Sequence, residues 1–312
     1  MITADLKGRD FLRVNDWAPD ELLLVLDLAD DLKARQRERQ PHRLLEDRSL
    51  GMIFQKPSTR TRVSFEVGIS QLGGTGLYLA AGDLQLGRGE TIKDTAVVLS
   101  RYLDGIMIRT FAQSDVDELA EYAETPVING LTDDFHPCQA LADVMTVRER
   151  LGGFAGVRVA YLGDGNNVCH SLMVACAKLG MDFVAATPAG YEPSEEVVDW
   201  ALAAAEANGT AVELTGDPRA AASGADVLYT DVWTSMGQDE ERERRLADLA
   251  GYGIDAGLVA LASERAIVLH CLPAHYGEEI TEDVLYGERS AVWDQAENRL
   301  HAQKALMALV IR

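Results

Sequence analysis

Four of the 312 residues are cysteine, and no two of them stand as C-x-x-C. Cys138, Cys169, Cys176 and Cys271 therefore point neither to a zinc ribbon nor to a thioredoxin-type redox pair. The six histidines form no H-E-x-x-H or H-x-x-x-H pattern, so no metal is expected. No apolar run approaches the ~20 residues needed to span a bilayer. The start, Met1-Ile2-Thr3-Ala4-Asp5, lacks the basic and then apolar segments of a signal peptide. A cytoplasmic protein without disulfides is the expectation. Basic residues are also in deficit, with 29 Lys plus Arg against 50 Asp plus Glu and a net charge of −21. Such a field repels nucleic acid and anionic membrane, so neither is expected as a partner. It repels a phosphorylated substrate too. A phosphate site in this chain must be made locally, from Arg and backbone N–H groups. The acidity reads most simply as a solvated surface. The scarcity of Lys beside Arg also fits a salt-rich cytoplasm.

What is present fits two α/β domains. The length suffices for two cores, and 47% hydrophobic residues is a globular value. Strand-like apolar runs alternate with helical patterns, with neither repeats nor low-complexity tracts. Leu50 to Phe54 reads as a buried strand. After a polar turn, Phe65, Ile69 and Leu72 mark one face of a helix that ends at Gly73-Gly74. Gly105 to Ile108 and Pro126 to Asn129 read as further strands, and Ala140 to Leu151 as a long helix. Gly152-Gly153-Phe154-Ala155-Gly156 is a break. Beyond it, strands are expected at Val157–Leu162, Asp182–Thr187, Ala211–Leu214, Asp226–Val232 and Ala266–Leu269. Helices are expected at Val168–Leu179, Pro193–Asn208 and Arg299–Ile311. The expected boundaries are residues 1–148, with a C-terminal helix at 293–312 packing back on them, and 149–292. Parallel sheets of this kind bind ligands beyond the carboxyl ends of their strands.

Six motifs lie at such ends. Ser58-Thr59-Arg60-Thr61-Arg62 opens a helix directly after a strand, where free N–H groups and the dipole favour an anion. Two hydroxyls and two guanidiniums strengthen that reading over simple capping. Arg109-Thr110 follows the next strand and, taken alone, is no more than a surface Arg. His136-Pro137-Cys138-Gln139 leads into a helix; by itself the histidine is as readily structural as catalytic. Gly163-Asp164-Gly165-Asn166-Asn167-Val168 resembles a dinucleotide turn. Val168 replaces the third glycine, and Ala186-Thr187 stand where an acid belongs, so nicotinamide binding ranks low. Asp231-Val232-Trp233-Thr234-Ser235-Met236-Gly237 offers a carboxylate that could hold an amine or cap a turn. His270-Cys271-Leu272-Pro273 reads as a buried free thiol or as part of a site.

In this order the six motifs, K-P-S-T-R-T-R, I-R-T, H-P-C-Q, G-D-G-N-N, D-V-W-T-S-M-G and H-C-L-P, resemble the aspartate/ornithine carbamoyltransferase family. The last two resemble its ornithine branch, and the likeness covers essentially the whole chain. The resemblance implies a carbamoyl phosphate domain followed by an ornithine domain. It implies that Ser58, Thr59, Arg60 and Thr61 hold the phosphate and that Arg109, His136 and Gln139 face the carbamoyl group. Gln85 would reach a neighbouring subunit's site in a homotrimer or a multiple of trimers. Asn167, Asp231, Ser235 and Met236 would bind ornithine, and Cys271, Leu272 and Arg299 would complete the site. Arg109, His136, Asp231 and Cys271 are the implied catalytic residues, and no cofactor is required. Putrescine or acetylornithine as acceptor is the nearest alternative, with a nicotinamide-dependent oxidoreductase or a silent partner-binding paralogue beyond it. Neither reading of the motifs separates arginine synthesis from arginine catabolism.

Overall fold

The computed structural model describes residues 5–85, 89–234 and 241–312. They fall into two units. The first runs to Ala142 and takes in Glu297–Arg312; the second is Asp143–Ala296.

The first unit holds α1 (Pro19–Arg37), β1 (Ser49–Phe54), α2 (Thr59–Gln71), β2 (Thr75–Ala80), α3 (Ile92–Leu99), β3 (Gly105–Arg109), α4 (Gln113–Tyr122) and β4 (Val127–Leu131). Helix α5 (Pro137–Leu151) begins there, with proline at the position where a missing N–H costs nothing. The four strands are parallel, in the order β2-β1-β3-β4. The interior strands β1 and β3 are covered on both faces. That is why Leu50 to Phe54 and Gly105 to Ile108 are apolar without alternation. Ile53, Ile106, Ile108, Val116, Leu119 and Val127 make one continuous core, each large side chain adding roughly 1.5–3 kcal/mol by leaving water. Phe11 extends this sheet beyond β4, its N–H donating to Val127 O at 2.9 Å while its carbonyl accepts from Asn129 N at 2.9 Å.

The second unit holds β5 (Arg158–Leu162), α6 (Asn167–Lys178), β6 (Asp182–Ala186), α7 (Glu195–Asn208), β7 (Val212–Thr215), α8 (Pro218–Ala222), β8 (Val227–Thr230), α9 (Arg242–Asp248), α10 (Ala256–Val259), β9 (Ile267–His270) and α11 (Glu282–Leu285). Helix α12 (Val292–Val310) ends the chain. These strands are also all parallel, in the order β7-β6-β5-β8-β9. The expected class, α/β with two parallel sheets, is therefore the one observed. In each sheet the strand order reverses once, between β1 and β3 and between β5 and β8. Sheets of this kind take ligands beyond the carboxyl ends of the strands at such a point, and each unit has its own.

Several elements differ from the sequence reading, which named none of the helices α1, α3, α4 and α8 to α11. Strand β2 has no counterpart in it, because β2 is an edge strand whose Leu77 and Tyr78 face outward. Helix α12 starts at Val292 rather than Arg299. Its buried face is polar, with Gln295, Asn298, Arg299, Gln303 and Lys304 all covered, so apolar periodicity is weak. Hydrogen bonds account for that burial in the first unit. Lys33 donates to Asn298 at 2.7 Å, and Lys304 donates to Gln36 at 2.7 Å and to Gln71 at 2.9 Å. Gly68 lets α2 approach closely, since a Cβ there would lie 3.1 Å from Met307 and 3.2 Å from Lys304. Among the described residues, no helix is long and apolar enough to cross a membrane. None of the four cysteines is in a disulfide; Cys138, Cys169 and Cys176 are buried and Cys271 is half-buried.

Candidate active site

The first unit gathers cations at its switch point. Ser58 caps α2, its Oγ accepting the Thr61 N–H at 3.3 Å and donating to Thr61 Oγ1 at 3.1 Å. The β1 and β3 ends are tied by Gln55 N donating to Arg109 O at 2.8 Å. Arg109 and His136 are buried, and Arg60 is half-buried. Burial holds the His136 imidazole well below the usual histidine range, and the positive charges of Arg299, Arg109 and Arg60 push it further down. Three guanidiniums and a neutral imidazole thus share one electrostatic neighbourhood. Arg299 binds it together from α12, donating to Gln139 Oε1 at 2.7 Å and to Thr61 Oγ1 at 3.2 Å. With its amide turned to satisfy both ends, Gln303 accepts from Arg299 Nε at 3.0 Å and donates to Ser64 Oγ. Held through Gln139, Thr61 and Gln303, this guanidinium is fixed in one orientation, as the planar recognition of a phosphate or carbamoyl oxygen requires.

Two cations of the same motif are occupied elsewhere. Lys56 pairs with Asp133 and lies over Phe111 at 4.3 Å. Arg62 pairs with Glu66 at 3.2 Å and lies over Tyr78 at 3.9 Å. Thr59 is exposed on the first turn of α2. Gln85 is exposed in the loop after β2.

The second unit builds a polar knot where β5, β8 and β9 end. Asp231 follows β8 and is buried. Its Oδ1 accepts from Val232 N at 2.7 Å and from Cys271 Sγ at 2.8 Å, and its Oδ2 accepts from Asn166 Nδ2 at 2.8 Å. Asn166 is the N-cap of α6. Its Oδ1 accepts from Val168 N at 3.0 Å, Cys169 N at 3.2 Å and Tyr161 OH at 3.1 Å. One amide therefore joins a helix start, a strand tyrosine and the carboxylate. Asn167, next in line, is half-buried at the first position of α6. Asp231, His270 and Cys271 also place three possible ligand atoms within 4.8 Å of one another. Asp231 is hydrogen-bonded on both of its oxygens there.

The glycines of Gly163-Asp164-Gly165 have packing reasons. Gly163 sits at φ +126°, and a Cβ on Gly165 would lie 2.4 Å from the Pro193 nitrogen. Between them, Asp164 pairs with Arg245, which also donates to Trp233 O at 2.5 Å and lies 5.0 Å over Tyr191. Burial pushes the Asp164 carboxyl up to about 6, outweighing the downward pull of Arg245. Arg245 thereby ties α9 to the loops after β5 and β8.

Comparison with known proteins gives these sites a family. The model for "Aspartate/ornithine carbamoyltransferase, carbamoyl-P binding domain" matches residues 9–149, and that for "Aspartate/ornithine carbamoyltransferase, Asp/Orn binding domain" matches residues 155–310. The chain belongs to the aspartate/ornithine carbamoyltransferase family. Within that family it is similar to an ornithine carbamoyltransferase of Pyrococcus horikoshii, 56% identical over 310 residues, 99% of this chain and 98% of the relative. One of Oceanobacillus iheyensis is 55% identical over 307 residues, 98% of this chain and 95% of that one. Among solved structures, the Pyrococcus furiosus ornithine carbamoyltransferase superposes with a TM-score of 0.97 at 56% identity, covering 99% of both chains.

Of the carbamoyltransferase residues named from sequence, Ser58, Arg60, Thr61, Arg109, His136, Gln139 and Arg299 come together in the first unit. Asp231 and Cys271 come together in the second, with Leu272 next to Cys271. Ser235 and Met236 lie outside the described residues. Sequence reasoning chose Asn167 and passed over Asn166, Arg245 and Gln303. The N-cap position before an apolar helix is the signal that could have found Asn166; no local pattern marks the other two.

Proposed function

We propose that this carbamoyltransferase transfers the carbamoyl group of carbamoyl phosphate to the δ-amine of L-ornithine, giving L-citrulline and phosphate. The observation that carries this reading is the trio Arg60, Arg109 and Arg299 around a neutral His136, at a helix N-terminus in a chain of charge −21. It answers the requirement for a locally built phosphate site. The named relatives supply the acceptor, since they are ornithine carbamoyltransferases. In this reading Ser58, Thr59, Arg60 and Thr61 hold the phosphate, and Gln139 and Arg299 fix the carbamoyl phosphate beside them. Arg109 and His136 donate to the oxyanion that forms as the amine attacks the carbonyl carbon. A neutral imidazole keeps one N–H to give and adds no charge for the leaving phosphate to hold on to. The phosphate takes the amine's second proton as it departs.

On the acceptor side, Asp231 and Cys271 receive the amine end and ease the loss of its first proton. Asn167, Ser235 and Met236 bind the α-amino-acid end, and Leu272 completes the site. We further infer a cytoplasmic homotrimer, or a multiple of trimers, in which Gln85 serves a neighbouring subunit. A relative from Pyrococcus furiosus, 56% identical, is named an anabolic ornithine carbamoyltransferase, which favours arginine biosynthesis as the setting. Neither metal nor redox cofactor has a step in this chemistry. The test is a colorimetric citrulline assay, run side by side with ornithine, putrescine, acetylornithine and aspartate. Ornithine is expected to lead in kcat/KM by at least about a hundredfold, because buried polar groups left unpaired by an analogue reject it. Equal rates with putrescine or acetylornithine would place the enzyme in another branch.

A further inference from the structure

The turn after β9 carries Cys271 and Leu272, and its importance to catalysis rests on the reading that both belong to the site. Leu272 lies at φ +59°, in the left-handed region that a side chain disfavours by about 1–2 kcal/mol. Something must hold it there. Its N–H donates to His270 Nδ1 at 2.8 Å. A backbone N–H can only donate, so Nδ1 must offer its lone pair and the ring proton of neutral His270 must sit on Nε2. That nitrogen lies 3.1 Å from Glu279 Oε1. The same oxygen accepts the His275 N–H at 2.6 Å. Both side chains, His270 and Glu279, are fully covered, at 0% exposure each. One carboxylate oxygen therefore gathers the residue before the turn and the residue beyond it, closing residues 271–274 into a clamp. His270 itself is anchored through its N–H to Gln295 Oε1 at 2.9 Å. With the turn so held, the Cys271 thiol reaches Asp231 Oδ1 at 2.8 Å.

We propose that Glu279 is a positioning residue for carbamoyl transfer: through His270 it fixes the imidazole tautomer, and through that tautomer the Leu272 backbone and the aim of Cys271 at Asp231. It touches no substrate. Its role resembles that of a carboxylate that orients a catalytic histidine, except that the oriented ring here supports backbone. Glutamine at this position keeps an oxygen with two lone pairs and so can accept both hydrogen bonds; leucine keeps only the volume.

Two variants, Glu279→Leu and Glu279→Gln, test this by alkylation of Cys271 with iodoacetamide, read by mass spectrometry, and by steady-state kinetics. The other three thiols are buried. In Glu279→Leu the thiol is expected to alkylate about tenfold faster and the ornithine KM to rise about tenfold, while Glu279→Gln stays within about threefold of the wild type on both, on the scale of loosened positioning. A merely structural role would lower the folded fraction, and so kcat, with KM and alkylation of the folded enzyme unmoved. That pattern, or a Glu279→Gln enzyme as impaired as Glu279→Leu, overturns the proposal. If Glu279→Leu does not fold, nitrogen-15 spectra of histidine-labelled wild type decide, with His270 assigned by loss of its signals in His270→Gln. An Nε2–H tautomer is expected, and an Nδ1–H tautomer overturns the clamp. A wild type that makes no citrulline sinks the functional reading alone, since tautomer and alkylation are read without turnover.

Discussion

Asn166 is the residue whose replacement separates two kinds of loss. Asn166→Ala removes a cap from α6, worth about 1 kcal/mol. It takes the donor from Asp231 Oδ2, a loss of roughly 1–3 kcal/mol for a buried charged acceptor, and leaves the buried Tyr161 hydroxyl without its acceptor for about 1 kcal/mol more. These contacts share one side chain and are not independent. The expected destabilisation is therefore ~3–5 kcal/mol, a drop of roughly 1–2 M in the urea midpoint of the second unit. Asn166→Asp behaves differently. It keeps the cap and the Tyr161 bond but sets a carboxylate oxygen against Asp231 at the position of a 2.8 Å contact. Two carboxylates this close do not both ionise, so the folded variant holds a proton that the unfolded chain releases. Stability must then fall as pH rises through the raised folded pKa, because the folded state binds more protons. Asn166→Asp should approach the wild type near pH 5 and Asn166→Ala near pH 8. Urea titrations at both pH values check it. An Asn166→Asp protein whose stability is flat between them would refute the assignment of Asn166 Nδ2 as the donor to Asp231.

Three further outcomes are expected. Arg60→Ala should weaken carbamoyl phosphate binding by ~2 kcal/mol or more, about thirtyfold, and abolish useful turnover; unchanged affinity by calorimetry would count against the phosphate site. His136 has a folded pKa well below that of its unfolded state. Its contribution to stability is therefore complete above pH ~6.5 and is lost as pH falls, since the unfolded chain then binds the extra proton. The stability difference between wild type and His136→Gln should shrink from pH 8 to pH 5, and a constant difference would contradict this. If the −21 charge reflects a saline cytoplasm, the melting temperature should climb with KCl toward molar concentration as self-repulsion is screened; a flat or falling curve leaves the acidity as a solvated surface.

The sequence made the interior of each sheet plain because burial on both faces writes a strand as an unbroken apolar run. Leu50 to Phe54 and Val159 to Leu162 are such runs. Edges obey a weaker rule, and β2, half outward, carries Gly76 and an exposed Tyr78 in place of a pattern. The polar face of α12 hid the first turns of that helix for the opposite reason: its partners are buried hydrogen-bonding groups, which look like solvent-facing residues in a sequence. At the site, motifs found the residues that chemistry needs by type, such as Arg109, His136, Asp231 and Cys271. Of the residues that act by holding others, Asn166 carried only the mark of a helix N-cap, while Arg245, Gln303 and Glu279 left no motif, because their value comes from partners that only the fold brings into place. Arg245 pairs with Asp164, 81 positions away.

The division of the chain has a consequence for how it is made. Asp143–Ala296 is continuous, whereas the other unit needs Glu297–Arg312, which are synthesised after it. Until these emerge from a ribosome, Gln139 and Thr61 lack Arg299, Gln71 lacks Lys304, and the α2 surface around Gly68 has nothing against it. Lys7 and Gly8 meanwhile wait for the carbonyls of Ala308, Val310 and Ile311. Domains usually mature in the order of synthesis. Here Asp143–Ala296 can finish first, and the residues before it only after Glu297–Arg312 have emerged, so a nascent chain that has not yet exposed them carries a complete second unit and an unfinished first one.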